Sequence, residues 1–214
     1  MYLSTCFLNS RMPVGSASRR SLPVGLVALG CLGAVAAQGA VLDFEGLADA
    51  TSVGGTYAAQ GVSFSNAGVL TAGLSLNEFD FPPTSGSNAV FDDGGPTSGT
   101  FSTPVSSLSG YFTYSARVTL RAFDTSNVEL LSVSSAFTEN YVSSGTGSPN
   151  ELLSLSFPGG ISSFRIEGER AGSSFVMDDF AFTPVPEASS AAVVGAALGA
   201  FAWFRRSRRG SRNA

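Results

Sequence analysis

The chain has 214 residues, of which 43% are hydrophobic, and it carries a formal net charge of −4. Lysine and histidine are absent, whereas Gly, Ser, Thr and Phe are abundant, so the composition favours strands over helices. Both cysteines, Cys6 and Cys31, lie near the N-terminus. The rest of the chain therefore cannot contain a Ser/His triad, a thiol nucleophile or a His/Cys zinc site.

The first 40 residues have the three regions of a secretory signal peptide. Arg11, Arg19 and Arg20 precede an apolar run at residues 22–35, and small residues follow it. This order predicts cleavage by signal peptidase and a mature chain that begins near residues 37–41. Translation from either Met1 or Met12 agrees with it, since the signal that starts at Met12 has an ordinary length.

Residues 41–183 alternate between apolar and polar side chains and are punctuated by turn residues. The pattern predicts one helical turn, at residues 57–60, and ten short strands, at residues 41–45, 61–65, 88–92, 99–103, 108–115, 117–124, 128–134, 151–157, 161–167 and 174–183. Short strands without intervening helices predict an all-β domain. We expect an antiparallel β-sandwich of jelly-roll-like form.

The central domain is strongly acidic. Between residues 41 and 185 there are fifteen Asp and Glu against four Arg, a formal charge of −11. Such a surface repels nucleic acid and anionic membranes and attracts cations. We therefore expect no nucleic-acid partner.

Alternation within three strands predicts which side chains face the core. The inward residues are expected to be Val118, Leu120 and Ala122, then Phe164 and Ile166, and finally Val176, Phe180 and Phe182; Met177 and Asp179 are expected to face outward. Asp178 interrupts the pattern of the last strand. A carboxylate on an apolar face is costly unless it is paired, hydrogen-bonded or bound to a cation.

Two carboxylates near the two ends of the domain are candidate metal ligands. If the first and last strands are neighbours, Glu45 and Asp178 meet, and with backbone carbonyls they form a hard-oxygen site suited to Ca²⁺. The segment from Asp92 to Gly95 (Asp-Asp-Gly-Gly) is a second acidic candidate, but its composition is that of a tight turn, which is the favoured interpretation.

The last 31 residues, 184–214, form three parts in a fixed order. Val185, Pro186 and Glu187 are followed by an uncharged run at residues 188–204, which as a helix would be about 25 Å long, slightly short of a bilayer core. Arginines then stop the run, at Arg205, Arg206, Arg208, Arg209 and Arg212. The positive-inside rule keeps these arginines cytoplasmic, so the tail predicts a short transmembrane helix with the domain outside.

This tail resembles the PEP-CTERM sorting signal of bacterial exosortase substrates, although Ala188 stands where that family usually has a second proline. The resemblance implies that an exosortase-type transpeptidase recognises Pro186 and Glu187 and removes or replaces the tail. It further implies an inner-membrane-anchored precursor that becomes a cell-surface or matrix protein, in a host that makes extracellular polysaccharide.

The central domain resembles carbohydrate-binding-type jelly-roll domains of exported bacterial proteins. The resemblance rests on the opening Asp-Phe-Glu-Gly-Leu at residues 43–47, on Tyr57, on Gly-Val-Ser-Phe-Ser at residues 61–65, and on Met-Asp-Asp-Phe at residues 177–180. It implies a structural Ca²⁺ held by Glu45 and Asp178.

We therefore expect a non-catalytic exported surface or matrix protein associated with exopolysaccharide. The first alternative is a lectin-like module, whose sugar platform would have to come from Tyr57, Tyr111, Tyr114 and Tyr141 because the only Trp, Trp203, is in the tail. The second alternative is a glycoside hydrolase, which needs two carboxyl groups about 5 to 9.5 Å apart. No motif selects such a pair, so we expect no enzyme.

Overall fold

A computed structural model describes residues 39–185. They form nine strands joined by turns, with two single 3₁₀ turns at Ala58–Gln60 and Val142–Ser144. The strands are β1 (Ala40–Leu42), β2 (Val62–Ser65), β3 (Ala67–Thr71), β4 (Asn88–Asp92), β5 (Thr97–Tyr114), β6 (Thr119–Phe123), β7 (Glu129–Ser134), β8 (Glu151–Glu167) and β9 (Phe175–Pro184). The prediction of an all-β antiparallel domain is confirmed.

The strands join in the order β3-β4-β9-β5-β8-β6-β7, with β1 paired to β9 and β2 paired to β5. The long strands β5 and β8 pair with each other at both ends, interrupted near their middles. β9 runs along the second half of β5 and β2 along the first half. Because these two partners share one edge of β5, the sheet divides into two layers at the middle of the long strands.

The two layers pack face to face through phenylalanine rings. The ring centroid of Phe180 on β9 lies 5.4 Å from that of Phe64 on β2 and 4.9 Å from that of Phe164 on β8. Phe101 of β5 lies 5.2 Å from Phe182 of β9. Rings at these distances belong to a single core, so the two layers form a β-sandwich.

The predicted buried faces of β6 and β8 are confirmed. Val118, Leu120, Ala122, Phe164 and Ile166 are all buried in one cluster. The charged side chains between them lie on the outer face, where Arg121 bridges Glu129 at 3.0 Å and Glu167 at 2.8 Å.

The predicted faces of β9 are partly wrong. Met177 is fully buried in the main core with Phe180, whereas Val176 joins a small second cluster with Leu76 and Ala89. The cause is an irregularity opposite Ser109 and Tyr111 of β5, at which Asp179 adopts a φ of 48°. One extra residue at a bulge reverses the faces of the residues before it relative to those after it.

Four of the predicted strands are really two. The predicted strands at 99–103 and 108–115 belong to β5, and those at 151–157 and 161–167 belong to β8. Pro104 and Gly160 mark bulges inside these strands rather than turns between them: Gly160 has a φ of 96°, and a Cβ there would lie 2.9 Å from Pro104. Strand β3 was not predicted, because only Asn66 separates it from β2.

The first and last strands are neighbours, as expected. Leu42 of β1 pairs with Phe180 of β9, and Ala40 pairs with Phe182. Within residues 39–185 no helix is long and apolar enough to cross a membrane. The helix expected at residues 188–204 lies outside the described residues. So do residues 1–38 of the expected signal peptide at residues 1–40, whereas Ala40 belongs to β1.

Candidate functional site

Asp178 holds the beginning of a segment, residues 84–88, that leads into β4. Its Oδ2 accepts hydrogen bonds from the backbone N–H groups of Thr84 and Ser85, at 2.7 and 2.8 Å. Its Oδ1 accepts one from the N–H of Asp179 at 2.7 Å, and the Ser85 hydroxyl donates to Asp179. The buried carboxylate that interrupts the last strand is therefore hydrogen-bonded by backbone donors.

Glu45 holds the other end of the same segment. Its Oε1 accepts hydrogen bonds from the N–H groups of Ser87 and Asn88, at 2.8 and 2.7 Å. Gly86 lies between the two anchor points with a φ of 54°, and a Cβ at this position would lie 2.2 Å from Cδ of Glu45. Only glycine combines this backbone angle with so close an approach. We call residues 84–88, with Glu45 and Asp178, the carboxylate clamp.

The pKa of Asp178 is raised to about 6, because burial and the neighbouring charge of Asp179 raise it by more than the backbone donors lower it. Burial and the nearby charges of Asp43 and Glu45 also raise the pKa of Tyr57. Asp179 thus adds negative charge beside Asp178, and Asp43 and Glu45 add negative charge beside Tyr57. A bound cation would reduce the energetic penalty of this charge.

The clamp has oxygen atoms suited to a hard cation. Oε2 of Glu45 accepts no hydrogen bond from the described residues, and the buried hydroxyl of Thr84 has no hydrogen-bond partner among them. Ca²⁺ takes 6 to 8 oxygens. No group of three or more His, Cys, Asp or Glu within residues 39–185 surrounds a common point. Carbonyl, hydroxyl and water oxygens would therefore have to complete the ligand set.

Asp92 has a structural role that agrees with the turn interpretation of residues 92–95. Its fully buried carboxylate accepts hydrogen bonds from the N–H of Ser174 at 2.8 Å, the hydroxyl of Ser174 at 2.7 Å and the N–H of Phe175 at 3.2 Å. Burial raises its pKa. Gly94 and Gly95 both have positive φ, as the turn requires.

A cavity of about 390 Å³ lies on the outer surface of one layer. Antiparallel register aligns Ser63 of β2, Thr100 of β5, Ser163 of β8 and Phe123 of β6 in one row across four strands. A second row aligns Ser65, Ser98 and Arg165. Three inter-strand spacings make the row about 14 Å long.

We call this cavity the hydroxyl groove and define it by Ser63, Ser65, Ser98, Thr100, Phe123, Asn127, Ser163 and Arg165. None of its five hydroxyl groups bonds to another residue of the described domain. Arg165 is the one charged residue among the described residues that line it; its Nε forms an ion pair with Glu167 at 3.6 Å, which is too long for a hydrogen bond and leaves its N–H groups available. The groove therefore presents uncommitted donors and acceptors.

Three of the four tyrosines that were candidates for a sugar platform take part in packing or in a hydrogen bond, and the fourth, Tyr111, is half-buried on β5 opposite Asp178. Tyr114 is buried, and its hydroxyl donates to Glu151. Tyr57 packs edge-on against Phe44, and Tyr141 stacks on Phe81 with centroids 5.7 Å apart. The groove residues were missed because Ser and Thr are common along the chain. Their only sequence signal is alternation in the segments Ser63–Ser65 and Ser98–Thr100.

Of the predicted sorting motif, the structure describes only Val185, whose N–H donates to the carbonyl of Pro104 at 3.0 Å. Pro186 and Glu187 lie outside the described residues, as do Arg205, Arg206, Arg208 and Arg209.

No protein-family profile matches the chain, and no curated protein matches it in sequence. Among solved structures, the K2 cleaved adhesin domain of Lys-gingipain is similar with a TM-score of 0.43 and 11% identity, over 68% of this chain and 99% of that one. A family 11 carbohydrate-binding module from Clostridium thermocellum, in complex with a β-1,3-1,4-mixed-linked tetrasaccharide, has a TM-score of 0.33 and 12% identity over 70% of this chain and 97% of its own.

The family 11 module of a cellulosomal cellulase from the same organism has a TM-score of 0.31 and 13% identity, over 70% of this chain and 96% of its own. At these scores and identities the likeness does not extend to ligand or activity.

Proposed function

We propose that this chain is a non-catalytic exported protein of the cell surface or extracellular matrix, and that its jelly-roll-like domain associates with polysaccharide. The hydroxyl groove is the observation that carries the second half of this proposal. It is a concave, polar surface on an otherwise acidic domain, and its hydrogen-bonding groups are free to bind a ligand. If the domain binds a specific glycan in this groove, the protein is the lectin-like module named above as the first alternative.

The chemistry of the groove favours a neutral sugar chain. A serine or threonine hydroxyl both donates and accepts hydrogen bonds, as sugar hydroxyls do, and Arg165 adds further donors. The ring of Phe123 offers an apolar surface to the C–H groups of a sugar. The formal charge of −11 between residues 41 and 185 opposes nucleic acids and strongly anionic polymers.

The arrangement of the carboxylates favours a non-catalytic role. Glu45, Asp92 and Asp178 each accept hydrogen bonds from backbone N–H groups, and Glu151 accepts one from Ala136 as well as from the Tyr114 hydroxyl. Carboxylates used in this way fix loops in place. The alternative of a glycoside hydrolase would need two carboxyl groups that face a sugar across a cleft, and none lines the hydroxyl groove.

The sorting of the protein is supported by its sequence. Export is inferred from the basic, apolar and small-residue regions at residues 1–40, and retention from the uncharged run at residues 188–204 and the arginines after it. Signal peptidase and an exosortase-type transpeptidase acting at Pro186 and Glu187 are the proposed maturation partners. The proposed location is first the inner membrane and then the cell surface or extracellular matrix.

We also propose that Ca²⁺ is a structural ligand of the carboxylate clamp, with Glu45 and Asp178 as its carboxylates. The support is the carboxylate of Asp179 beside that of Asp178, together with Oε2 of Glu45 and the hydroxyl of Thr84, which have no partner in the described domain.

Binding of purified protein to an array of neutral and acidic oligosaccharides tests the proposed function. We expect a neutral oligosaccharide to bind, and we expect Thr100→Val combined with Ser163→Ala to remove most of the signal. Ser154→Ala, an exposed serine on β8 outside the groove, is the matched control. A blank array, or binding that the double variant leaves unchanged, would reject the groove as a sugar site.

A further inference from the structure

An aromatic patch lies at the surface where two loops meet. Asp80 joins the loops: its carbonyl accepts a hydrogen bond from the N–H of Val142 at 3.0 Å, and its Oδ1 accepts one from the N–H of Ser143 at 3.1 Å. Phe81 stacks on Tyr141 at an interplanar angle of 15°. Phe79 is 81% exposed and Val142 is 52% exposed. We define the aromatic patch as Phe79, Phe81, Tyr141 and Val142.

The patch continues into an apolar pocket of about 300 Å³. Phe81 belongs to both, and the other apolar residues that line the pocket are Leu70, Leu76, Phe91, Phe175 and Val176. Three polar residues also line the pocket, and two of them are already engaged, since the Ser75 hydroxyl donates to Asp49 and the Asn77 amide donates to Asp80; the third is Ser173. With six apolar residues among the nine that line it, the pocket suits an apolar side chain better than a hydroxylated sugar.

Acidic residues accompany the patch. Glu78 and Asp80 flank Phe79 in the chain, and Glu139 lies two residues before Tyr141. Hydrogen bonds from Ser143 lower the pKa of Asp80, so this carboxylate stays ionised at neutral pH. The described arginines that form ion pairs, Arg121 and Arg165, pair with other acids. An apolar centre with an acidic margin is complementary to a partner that has apolar and basic side chains.

We propose that the aromatic patch and the apolar pocket dock a polypeptide segment in which apolar and basic residues alternate. An apolar side chain of the partner enters the pocket beside Phe81, and its arginines or lysines face Glu78, Asp80 and Glu139. Charge argues against the other occupants. A second copy of this chain would bring the same three carboxylates against these three, and an anionic membrane would be repelled.

The probe is a fluorescent peptide that alternates arginine and leucine, added to the full chain held in nanodiscs of neutral lipid. Two further peptides replace leucine by serine or arginine by glutamate. We expect only the arginine–leucine peptide to raise the anisotropy strongly, and we expect this binding to weaken with salt. Phe79→Ser should weaken it by about tenfold, as loss of an exposed aromatic anchor does, and Glu78→Gln should reduce its salt dependence.

Matched controls are Val128→Ser, an apolar side chain that is 58% exposed on another surface, and Glu169→Gln, an exposed acid elsewhere. Both should bind the peptide as wild type does. If the arginine–serine peptide binds as tightly as the arginine–leucine peptide, or if Phe79→Ser binds as wild type does, the binding is only diffuse charge attraction and the proposal is overturned. If instead the chain dimerises and Phe79→Ser abolishes the dimer, the aromatic patch binds a second copy of the chain.

Discussion

Glu45, just after the first strand, and Asp178, in the last strand, grip opposite ends of the same segment. Asp178 binds the N–H groups of Thr84 and Ser85, while Glu45 binds those of Ser87 and Asn88. The segment is thereby fixed both to β9 and to the turn that follows β1, and β1 pairs with β9. This relationship leads to the first two predictions.

We expect millimolar Ca²⁺ to raise the melting temperature of the protein, because a ligand that binds only the folded state stabilises it. Glu45→Gln or Asp178→Asn should abolish this gain, whereas Glu169→Gln, an exposed acid away from the clamp, should keep it. Differential scanning calorimetry with Ca²⁺ and with chelator provides the measurement. Identical melting curves in the two buffers would reject the calcium site.

In chelator, the free energy of unfolding should depend on pH through Asp178. Because burial raises the pKa of Asp178 to about 6 from its ordinary value of 3.8, the folded state binds more protons than the unfolded state between these values. This contribution to stability is fully present below pH 4 and is lost as pH rises through 6; it amounts to about 3 kcal/mol.

Urea denaturation at several pH values measures this effect, with wild type compared to Asp178→Asn. The difference in unfolding free energy between the two proteins should change between about pH 4 and pH 6 and should be constant from pH 7 to 8. A difference that does not vary with pH would show that Asp178 titrates alike in both states.

Gly99 gives a test of the packing beneath the hydroxyl groove. A Cβ at this position would lie 2.4 Å from two ring atoms of Phe164 and 2.9 Å from the carbonyl of Ser63. Gly99→Ala should therefore lower the free energy of unfolding by about 1 to 3 kcal/mol, the usual cost of overpacking. Gly46→Ala is the control, since a Cβ there meets nothing within 4 Å. Equal denaturation midpoints for the two variants would contradict the register of β2, β5 and β8.

The tail should be processed only if its motif is intact. We expect a Pro186→Ala, Glu187→Ala double variant to accumulate in the membrane as a precursor of full mass when the host contains an exosortase. Deletion of residues 188–214 should release a soluble domain. Cell fractionation with intact-mass measurement checks both outcomes. A wild-type surface protein that retains its whole tail would show that the tail is a permanent anchor.

Local patterning was enough to predict much of the fold. Alternation located the buried faces around Leu120 and Phe164, and the scarcity of helix formers predicted the all-β class. It failed where a bulge changes the phase, as at Asp179, because an extra residue in a strand leaves no periodic signal. Pro104 and Gly160 were interpreted as turns between strands, because Pro and Gly occur in turns and in bulges alike.

The candidate sites were harder to predict because they depend on contacts between distant segments. The sequence predicted that Glu45 and Asp178 meet if the first and last strands are neighbours, but not that both bind the segment at residues 84–88. The hydroxyl groove depends on which strands are neighbours: Ser63, Thr100 and Ser163 share a row only because β2, β5 and β8 are adjacent. Ordinary serine alternation in any one strand carries no sign of this.

The position of β9 also determines how the domain bears mechanical load. β9 is the strand that leads into the tail, and it pairs with β1, β4 and β5. When the tail is anchored and a polymer is held in the hydroxyl groove, a force between them acts along β9. It would then load the hydrogen bonds of all three ladders in shear at the same time. A pull between the two ends would instead unzip β1 from β9 one bond at a time, because Ala40 lies opposite Phe182. In single-molecule stretching we expect the first geometry to need the larger rupture force.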